Sequence, residues 1–339
     1  MIIPILLVFS LLLIIHESFF RDNSGVKFSF FLIILLACIA AFRSPLSPDY
    51  KEYVGLYNIE HENKEIGYLT LIRFSKLISS NHILFFFLSA ALSITLKVFA
   101  IRLFSPFFSI SLIVYISNVF ILHDMIQMRC AISSGLLLWA LYFYCKDDLK
   151  KSLSVSFLAL LFHYSSVVIF LLYFLSKDKF DRGLALCFIA ISYILAILGL
   201  RFGYIWGYIT WGEIASLWEV YSSMMASGEM TKINIFNTFF IIRIIVCVAL
   251  IINYDRIKFL GRLYVVGLKL YVISICVYLL FSDIPVLAFR LSELFQVVEV
   301  FLFSSLIIVF NDRSLGKLCV TALATAFILI NIFYNQLVL

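Results

Sequence analysis

Long, uninterrupted apolar runs dominate this 339-residue sequence and constrain its fold more than any other feature. A helix needs roughly 20 mainly apolar residues to cross a bilayer, with a range of about 17 to 25. Runs near that length lie at about 2–19, 27–42, 83–101, 107–123, 129–145, 152–176, 183–200, 235–253, 262–281, 290–310 and 317–336. They exclude a soluble enzyme, and their continuity argues against the alternating strands of an outer-membrane barrel. We therefore expect an all-α, polytopic integral membrane protein.

Clusters of Lys and Arg between the runs predict which connections face the cytoplasm. The positive-inside rule places such clusters on the cytoplasmic side. They are Arg21/Lys27, Lys97/Arg102, Lys146/Lys150/Lys151, Lys177/Lys179/Arg182, Arg256/Lys258/Arg262 and Arg313/Lys317. If all eleven runs crossed the membrane, the clusters that begin at Lys146 and Lys177 would lie on opposite sides.

A re-entrant segment at 152–176 removes this conflict. The polar stretch from His163 to Ser166 interrupts its middle, so two half-helices of about 11 residues can enter the membrane and return. Irregular backbone is tolerated at that depth where protein or a water-filled cavity satisfies it. We therefore predict about ten transmembrane helices plus one re-entrant half-helix pair. Residues 1–339 form one integral membrane domain in this interpretation, with outward loops at about 43–82 and 201–234.

Several function classes are excluded by composition and missing motifs. The net charge of +6 is spread over short clusters between apolar runs, which does not suit a nucleic-acid surface. The seven cysteines show no CxxC or metal-ligand spacing and are expected to be free thiols. The first run lacks a basic start and a cleavage site, so we interpret it as a retained span. Phosphate-binding loops, HExxH, GxSxG and DxD are absent, and we predict no metal and no cofactor.

Two ionisable residues lie deep in separate apolar runs. Insertion of such a group into the membrane costs roughly 2.5–3.5 kcal/mol, so each one is expected to have a structural or functional role. Arg243 and Glu299 both stand about eight residues into their runs, which is about 12 Å at 1.5 Å per residue. The matching depth predicts a structural ion pair, although Arg243 is also a candidate for lining a polar cavity.

Polar residues also converge at the predicted outer boundary. They are Arg43, Asp49, Asp124, Arg129, His163, Arg201, Asp283, Arg290 and Glu293. Several arginines together suggest an anion, because the guanidinium fork donates paired hydrogen bonds to phosphate. Structural alternatives remain open at this point: Arg290 and Glu293 are three residues apart and can pair on one helix. His163 can simply mark a helix break.

Aromatic residues are concentrated in the second outward loop. They are Tyr204, Trp206, Tyr208, Trp211, Trp218 and Tyr221, and they include three of the four tryptophans. An interfacial aromatic belt is the ordinary explanation of such a group. Stacking against sugar rings is the functional alternative.

Four segments resemble Wzy-type O-antigen polymerases and the related EpsG-type exopolysaccharide proteins of bacteria. They are FRSPLSPDYKEYVGLY (Phe42 to Tyr57), MIQMRCAISSGLLLWALYFY (Met125 to Tyr144), LALLFHYSSVVIFLLYFL (Leu158 to Leu175) and FRLSELFQVVEVFLF (Phe289 to Phe303). Their order and spacing extend over nearly the whole chain. One departure is that Cys130 follows Arg129, where relatives often carry Gln.

The resemblance implies a polytopic fold similar to that of membrane glycosyltransferases that use lipid-linked sugars. It also implies a metal-independent polymerase in the bacterial inner membrane, which joins repeat units carried on undecaprenyl diphosphate at the periplasmic face. The product would be O-antigen, as in lipopolysaccharide, or exopolysaccharide. Membrane lipid, a chain-length regulator and a flippase are the expected partners, with no nucleic acid.

The resemblance and the outer convergence together suggest residue roles. Arg129 and Arg290 are expected to bind the diphosphate, with Arg43 in support, and the catalytic candidates are His163, Asp49 and Glu293. The further substrate-binding candidates are Arg243, Tyr50, Tyr204, Trp206 and Trp211.

Three other functions remain open from the sequence. A lipid-linked oligosaccharide flippase would need polar residues along a path open to both sides, whereas here they crowd the outer half. A polysaccharide acyltransferase would need a route for a cytoplasmic acyl donor, and the inner loops are short. A structural partner in an assembly complex is the third alternative.

Overall fold

The described residues of the computed structural model are 25–59, 64–201 and 233–334, with single positions at 9, 12, 223 and 227. Helices joined by short connections make up these ranges, which contain no β-strand. In chain order the helices are α1 (Gly25–Ala41), α2 (Tyr50–Asn58), α3 (Ile66–Ile78), α4 (His82–Phe104), α5 (Phe108–Ile126), α6 (Met128–Cys145), α7 (Leu149–Phe162), α8 (Arg182–Ile197), α9 (Thr238–Ile252), α10 (Arg262–Leu280), α11 (Pro285–Gln296), α12 (Glu299–Ser305) and α13 (Arg313–Leu329). A 3₁₀ helix lies at Tyr164–Phe174, and short α or 3₁₀ turns lie at Tyr254–Ile257, Lys258–Leu260 and Leu306–Val309. A π turn follows α13 at Ile330–Tyr334.

Five described helices are long and apolar enough to cross a membrane, and the number rises to seven if each of two bent pairs counts as one span. The five are α4, α5, α6, α10 and α13 with its extension. The bent pairs are α9 with the turn that follows it, at 72°, and α11 with α12, at 56°. The chain is therefore an all-helical, multi-pass membrane protein. The predicted count of about ten crossings exceeds this number, and the predicted span at 2–19 lies outside the described ranges.

The segment predicted to be re-entrant folds back on itself. Helix α7 ends at Phe162, His163 takes an extended conformation, and the 3₁₀ stretch Tyr164–Phe174 returns beside α7. The Tyr173 hydroxyl lies 2.9 and 2.7 Å from the Ser152 and Ser156 hydroxyls, so the two arms are held together.

The two ends of this hairpin meet at one end of the helix bundle. Lys177 Nζ lies 2.6 Å from a carboxylate oxygen of Asp147, and Arg262 bridges Asp147 and Asp178 at 2.7 Å each. Three of the basic clusters that were assigned to the cytoplasm, at 146–151, 177–182 and 256–262, thus come together.

The loop at 43–82, predicted to face outward, contains two helices that were not predicted from the sequence. Helices α2 and α3 pack on the start of α4 through an aromatic cluster of Tyr53, Tyr57, Tyr68, Phe85 and Phe86. Their arrangement fixes the residues that precede each helix, Asp49 before α2 and Glu65 before α3.

The placement of Lys97 in a cytoplasmic connection was wrong. Lys97 is fully buried within α4, and its Nζ lies 2.8 and 3.0 Å from the two carboxylate oxygens of Asp124 on α5. Asp124, which was assigned to the outer boundary, is 1% exposed and also accepts a hydrogen bond from the Tyr115 hydroxyl at 2.8 Å. The positive-inside rule uses the sequence alone and places such a lysine in an aqueous connection, because the buried partner cannot be recognised from the sequence.

Candidate functional site

A cavity of about 460 Å³ opens at the end of the bundle that carries the loop at 43–82, which was predicted to face outward. It lies between α5, α9, α11 and the residues just before α2. The polar residues that line it are Asp49, Asn118, Gln127, Asn237, Arg243, Arg290, Glu293 and Asn331, and the larger apolar or aromatic ones are Leu122, Phe239, Phe240, Tyr278 and Phe289. Four of the predicted site residues, Asp49, Arg243, Arg290 and Glu293, therefore share one cavity.

The inner part of the cavity is built on the expected pair of Arg243 and Glu299. Arg243 Nε lies 2.9 Å from Glu299 Oε1, and the better aligned hydrogen bond runs from Arg243 Nη2 to Oε2 at 3.4 Å. The Asn118 amide also donates to Oε2, at 3.3 Å, and Asn331 donates to the Asn118 side chain. Side chains from α5, α9, α12 and the end of the α13 segment thus close one polar network.

Local backbone irregularities bring this network together. From Tyr115 to Ile126, α5 is wound as a π-helix, a form that is rare and frequently found at functional sites. The 56° bend between α11 and α12 places Glu299 at the start of a new helix. Both features direct polar side chains toward the cavity, where straight, regularly packed helices would place apolar groups.

Glu293 and Arg290 stand in the wall above this network without pairing to each other. Glu293 is 5% exposed, and its Oε2 accepts a hydrogen bond from the Gln127 amide at 2.8 Å. Arg290 is exposed at the rim, and within the described ranges no carboxylate forms an ion pair with it. The structure therefore does not contain the alternative Arg290–Glu293 pair. The Arg290 guanidinium can donate hydrogen bonds to a bound anion.

Asp49 completes the rim opposite Arg290. Its backbone is left-handed, with φ of 59°, and although it precedes α2 its side chain makes no capping hydrogen bond. Asp and Asn adopt this conformation more readily than most residues, and such strain is frequent at functional sites. Partial burial and the neighbouring Glu52 raise the pKa of Asp49, and the charges of Arg290, Arg129 and Arg43 oppose them.

Aromatic side chains form the apolar wall. Phe240 and Tyr278 stack with ring centroids 4.1 Å apart, and Tyr278 meets Phe289 edge-on at 5.7 Å. Phe239 lies under the Arg243 guanidinium at 4.4 Å. The aromatic candidates of the second loop, Tyr204, Trp206 and Trp211, lie outside the described residues.

Arg129 and His163 occupy a separate cluster beside the cavity. Arg129 contacts two carboxylates, Glu52 at 3.2 Å and Glu65 at 3.3 Å, and His163 Nδ1 lies 3.3 Å from the other Glu65 oxygen. Burial raises the pKa of Glu65, but the His163 hydrogen bond and the Arg129 charge outweigh it and bring the pKa to about 2. Gly67 allows this approach, because a Cβ there would lie 2.8 Å from the Leu161 carbonyl oxygen.

This cluster does not supply residues to the cavity lining. The positive charge of Arg129 is already compensated by two carboxylates, which does not favour the expected contact with a diphosphate. The cluster joins α2 and α3 to the start of α6 and to the tip of the hairpin at His163.

Arg43 and Tyr50 also lie outside the lining. Arg43 is 3% exposed and donates to the Met125 carbonyl oxygen at 2.5 Å, while its guanidinium carbon stands 4.1 Å from the Phe86 ring centroid. Burial lowers the pKa of Arg43. The Tyr50 hydroxyl lies 3.0 Å from His82 Nε2. Both side chains therefore help to fix the loop that carries Asp49.

The sequence analysis missed the amide side chains of the site. Asn118, Asn237 and Asn331 line the cavity, and the Gln127 amide donates a hydrogen bond to Glu293. The available signal was an Asn inside each of the apolar runs 107–123 and 317–336. In the described ranges no group of three or more His, Cys, Asp and Glu side chains is arranged to hold a metal ion.

Comparison with known protein families shows to which family this chain belongs. The EpsG family model matches residues 26–338, which is nearly the whole chain. The chain belongs to the EpsG family. Membership indicates polysaccharide biosynthesis at a membrane and a role of the polymerase type, so the resemblance to EpsG-type proteins is confirmed. No curated protein and no solved structure matches this EpsG-family chain.

Proposed function

We propose that this EpsG-family protein is a glycosyltransferase that polymerises repeat units carried on undecaprenyl diphosphate, at the periplasmic face of the inner membrane. The observation that carries the proposal is the composition of the outer cavity. Arg290, which has no ion-pair partner among the described residues, and the buried Arg243 share about 460 Å³ with two carboxylates, Asp49 and Glu293, and with aromatic walls. This combination suits an anionic leaving group, a hydroxyl nucleophile and a sugar ring.

The reaction forms one glycosidic bond and breaks one sugar–phosphate bond. An acceptor hydroxyl on the new lipid-linked unit attacks the anomeric carbon of the growing glycan. The electron pair of the broken C–O bond moves to the diphosphate, and the hydroxyl proton moves to a carboxylate. Fixed donors aimed at the developing negative charge lower the barrier, because they need no reorganisation during the reaction.

Arg290 is the residue that we assign to the diphosphate. It stands at the rim, where the headgroup of a lipid carrier would enter, and its guanidinium fork matches phosphate oxygens. Arg243 lies deeper and already contacts Glu299, so it adds positive potential to the cavity and keeps its structural partner. Arg129 is left out of this assignment because two carboxylates hold it.

Asp49 is the residue that we assign as the general base. Its carboxylate has no hydrogen-bond partner among the described side chains, it faces the cavity, and its raised pKa favours proton uptake. Glu293 is held by Gln127 and suits a sugar hydroxyl as a fixed acceptor. His163 is not assigned, because it contacts Glu65 outside the cavity.

Substitutions at Asp49 and Arg290 test the proposal in cells that depend on this chain for polymer. Asp49→Asn keeps a residue that tolerates the left-handed backbone, and loss of a general base lowers the rate about 10²–10⁴-fold. Arg290→Lys keeps the charge and loses the fork, so polymer length should fall at an unchanged protein level. Arg313→Gln, an exposed arginine far from the cavity lining, is the matched control. Normal polymer from both Asp49→Asn and Arg290→Lys would overturn the assignment.

A further inference from the structure

A second concave surface lies between α4 and α6, away from the outer cavity. This groove measures about 520 Å³, and it is lined by Thr95, Leu96, Phe99, Arg102, Leu103 and Trp139. Its lining is apolar except for one hydroxyl and one guanidinium. Leu103, at 50% exposure, marks its open side.

The groove lies at the end of the bundle opposite the outer cavity. Helices α4 and α6 run in the same direction, and near their last turns Phe104 and Tyr142 stack with ring centroids 5.7 Å apart. Helix α6 then leads directly into the basic cluster at 146–151. Arg102 therefore stands at the same level as the clustered Lys and Arg residues, which mark the cytoplasmic side.

Close packing of the two helices gives the groove a fixed shape. A Cβ at Gly135 of α6 would lie 2.9 Å from Leu96 Cβ, so the helices touch at this position because the glycine has no side chain. Trp139 Nε1 donates to the Leu96 carbonyl oxygen at 3.0 Å. The indole is thus held against α4, and its ring forms one wall of the groove.

Arg102 gives this apolar groove an anion preference. Its Nη1 donates to the Ser29 hydroxyl at 3.3 Å, and within the described ranges no carboxylate forms an ion pair with it. A guanidinium has five donors, and a single neutral hydroxyl leaves most of them available. A charged group with free donors at the mouth of an apolar groove complements a molecule with an anionic head and a hydrocarbon tail.

We propose that this groove binds one anionic phospholipid of the cytoplasmic leaflet. The phosphate sits on Arg102, and an acyl chain lies along Phe99, Leu96 and the Trp139 ring. Basic pockets between transmembrane helices on the cytoplasmic side are established sites for anionic headgroups. The lipid-linked substrate of the proposed reaction enters at the other end of the bundle, so this site is independent of that reaction.

Fluorescence quenching by brominated lipids tests the site on the intact protein in vesicles. Phosphatidylglycerol with brominated acyl chains quenches a tryptophan that it contacts, and the difference between the wild type and Trp139→Phe isolates the Trp139 signal. Brominated phosphatidylethanolamine is the matched neutral probe. We expect Trp139 to prefer phosphatidylglycerol about fivefold, the effect of one basic side chain near an anionic surface.

Variants and competitors separate this site from general lipid contact. The preference should disappear in Arg102→Gln and persist in Arg313→Gln, an exposed arginine elsewhere on the chain. Equal quenching of wild-type Trp139 by the two lipids would overturn the proposal even if Arg102→Gln failed to fold. Stronger relief of quenching by unlabelled undecaprenyl phosphate than by unlabelled phosphatidylglycerol would also overturn it, because the site would then belong to a polyprenyl lipid.

Discussion

The pair of Arg243 and Glu299 allows structural and functional roles to be separated by one set of variants. The two side chains are 7% and 1% exposed, and their charged atoms approach to 2.9 Å. Removing Arg243 leaves the buried Glu299 carboxylate without its charged partner, while the neutral Asn118 amide still donates to it. Breaking a buried pair in this way costs on the order of 3–5 kcal/mol, which is a large part of a typical folding free energy of about 5–15 kcal/mol.

The assay compares Arg243→Met, Glu299→Met and the double variant in detergent. Thermal unfolding and the folded fraction report stability, and polymer length in cells reports activity. Both single variants should unfold at lower temperature, and the double variant should recover most of the loss because no unpaired charge remains. Arg313→Met is the control for removing an exposed arginine.

Activity of the double variant then decides the role of Arg243. We expect it to fold and to polymerise poorly, because Arg243 also lines the cavity in which the proposed reaction would develop negative charge. A double variant with normal polymer would assign Arg243 to structure alone. An Arg243→Met protein with wild-type stability and wild-type polymer would refute the whole argument.

Three further predictions concern stability and topology. Lys97→Met alone should lose about 3–5 kcal/mol of stability because Asp124 stays buried without its charged partner, and adding Asp124→Leu should recover most of it; an unchanged unfolding temperature of Lys97→Met would contradict this. Glu65 has its pKa lowered from 4.5 to about 2, so its contribution of about 2–3 kcal/mol is present above pH 4.5 and lost as the pH falls through 2. The stability difference between wild type and Glu65→Gln should therefore shrink below pH 4.5, and a constant difference down to pH 2 would be the contrary result. Single cysteines at Lys150 and Lys179, in a chain without its native cysteines, should both react from the cytoplasmic side; reaction from opposite sides would exclude the re-entrant hairpin.

Much of the site was predictable because membrane depth can be read from residue number. The matched depths of Arg243 and Glu299 predicted a pair that the structure contains. The same reasoning brought Asp49, Arg290 and Glu293 to one boundary, and all three line the cavity. The position of a residue along an apolar helix determines its depth in the membrane to within a turn. The positions of these residues could therefore be predicted with little knowledge of helix packing.

Other assignments depended on contacts that the sequence does not reveal. Arg129 was expected at the diphosphate from its outer position and the resemblance, but its carboxylate partner Glu65 lies 64 residues earlier, in a loop that was not recognised as helical. Lys97 was assigned to the cytoplasm by the positive-inside rule, but its partner Asp124 lies on another helix. The rotation of each helix about its axis decides such partners, and nearly uniform apolar runs contain little information on rotation.

The proposed activity of the outer cavity is the joining of lipid-linked repeat units. The most direct measurement incubates the purified chain in vesicles with a lipid-diphosphate-linked repeat unit and follows polymer and free lipid diphosphate together. We expect a ladder of products with one lipid diphosphate released per new linkage, and loss of both in Asp49→Asn. Movement of the lipid-linked unit across the vesicle membrane without polymer or released lipid diphosphate would contradict the claim and indicate a flippase.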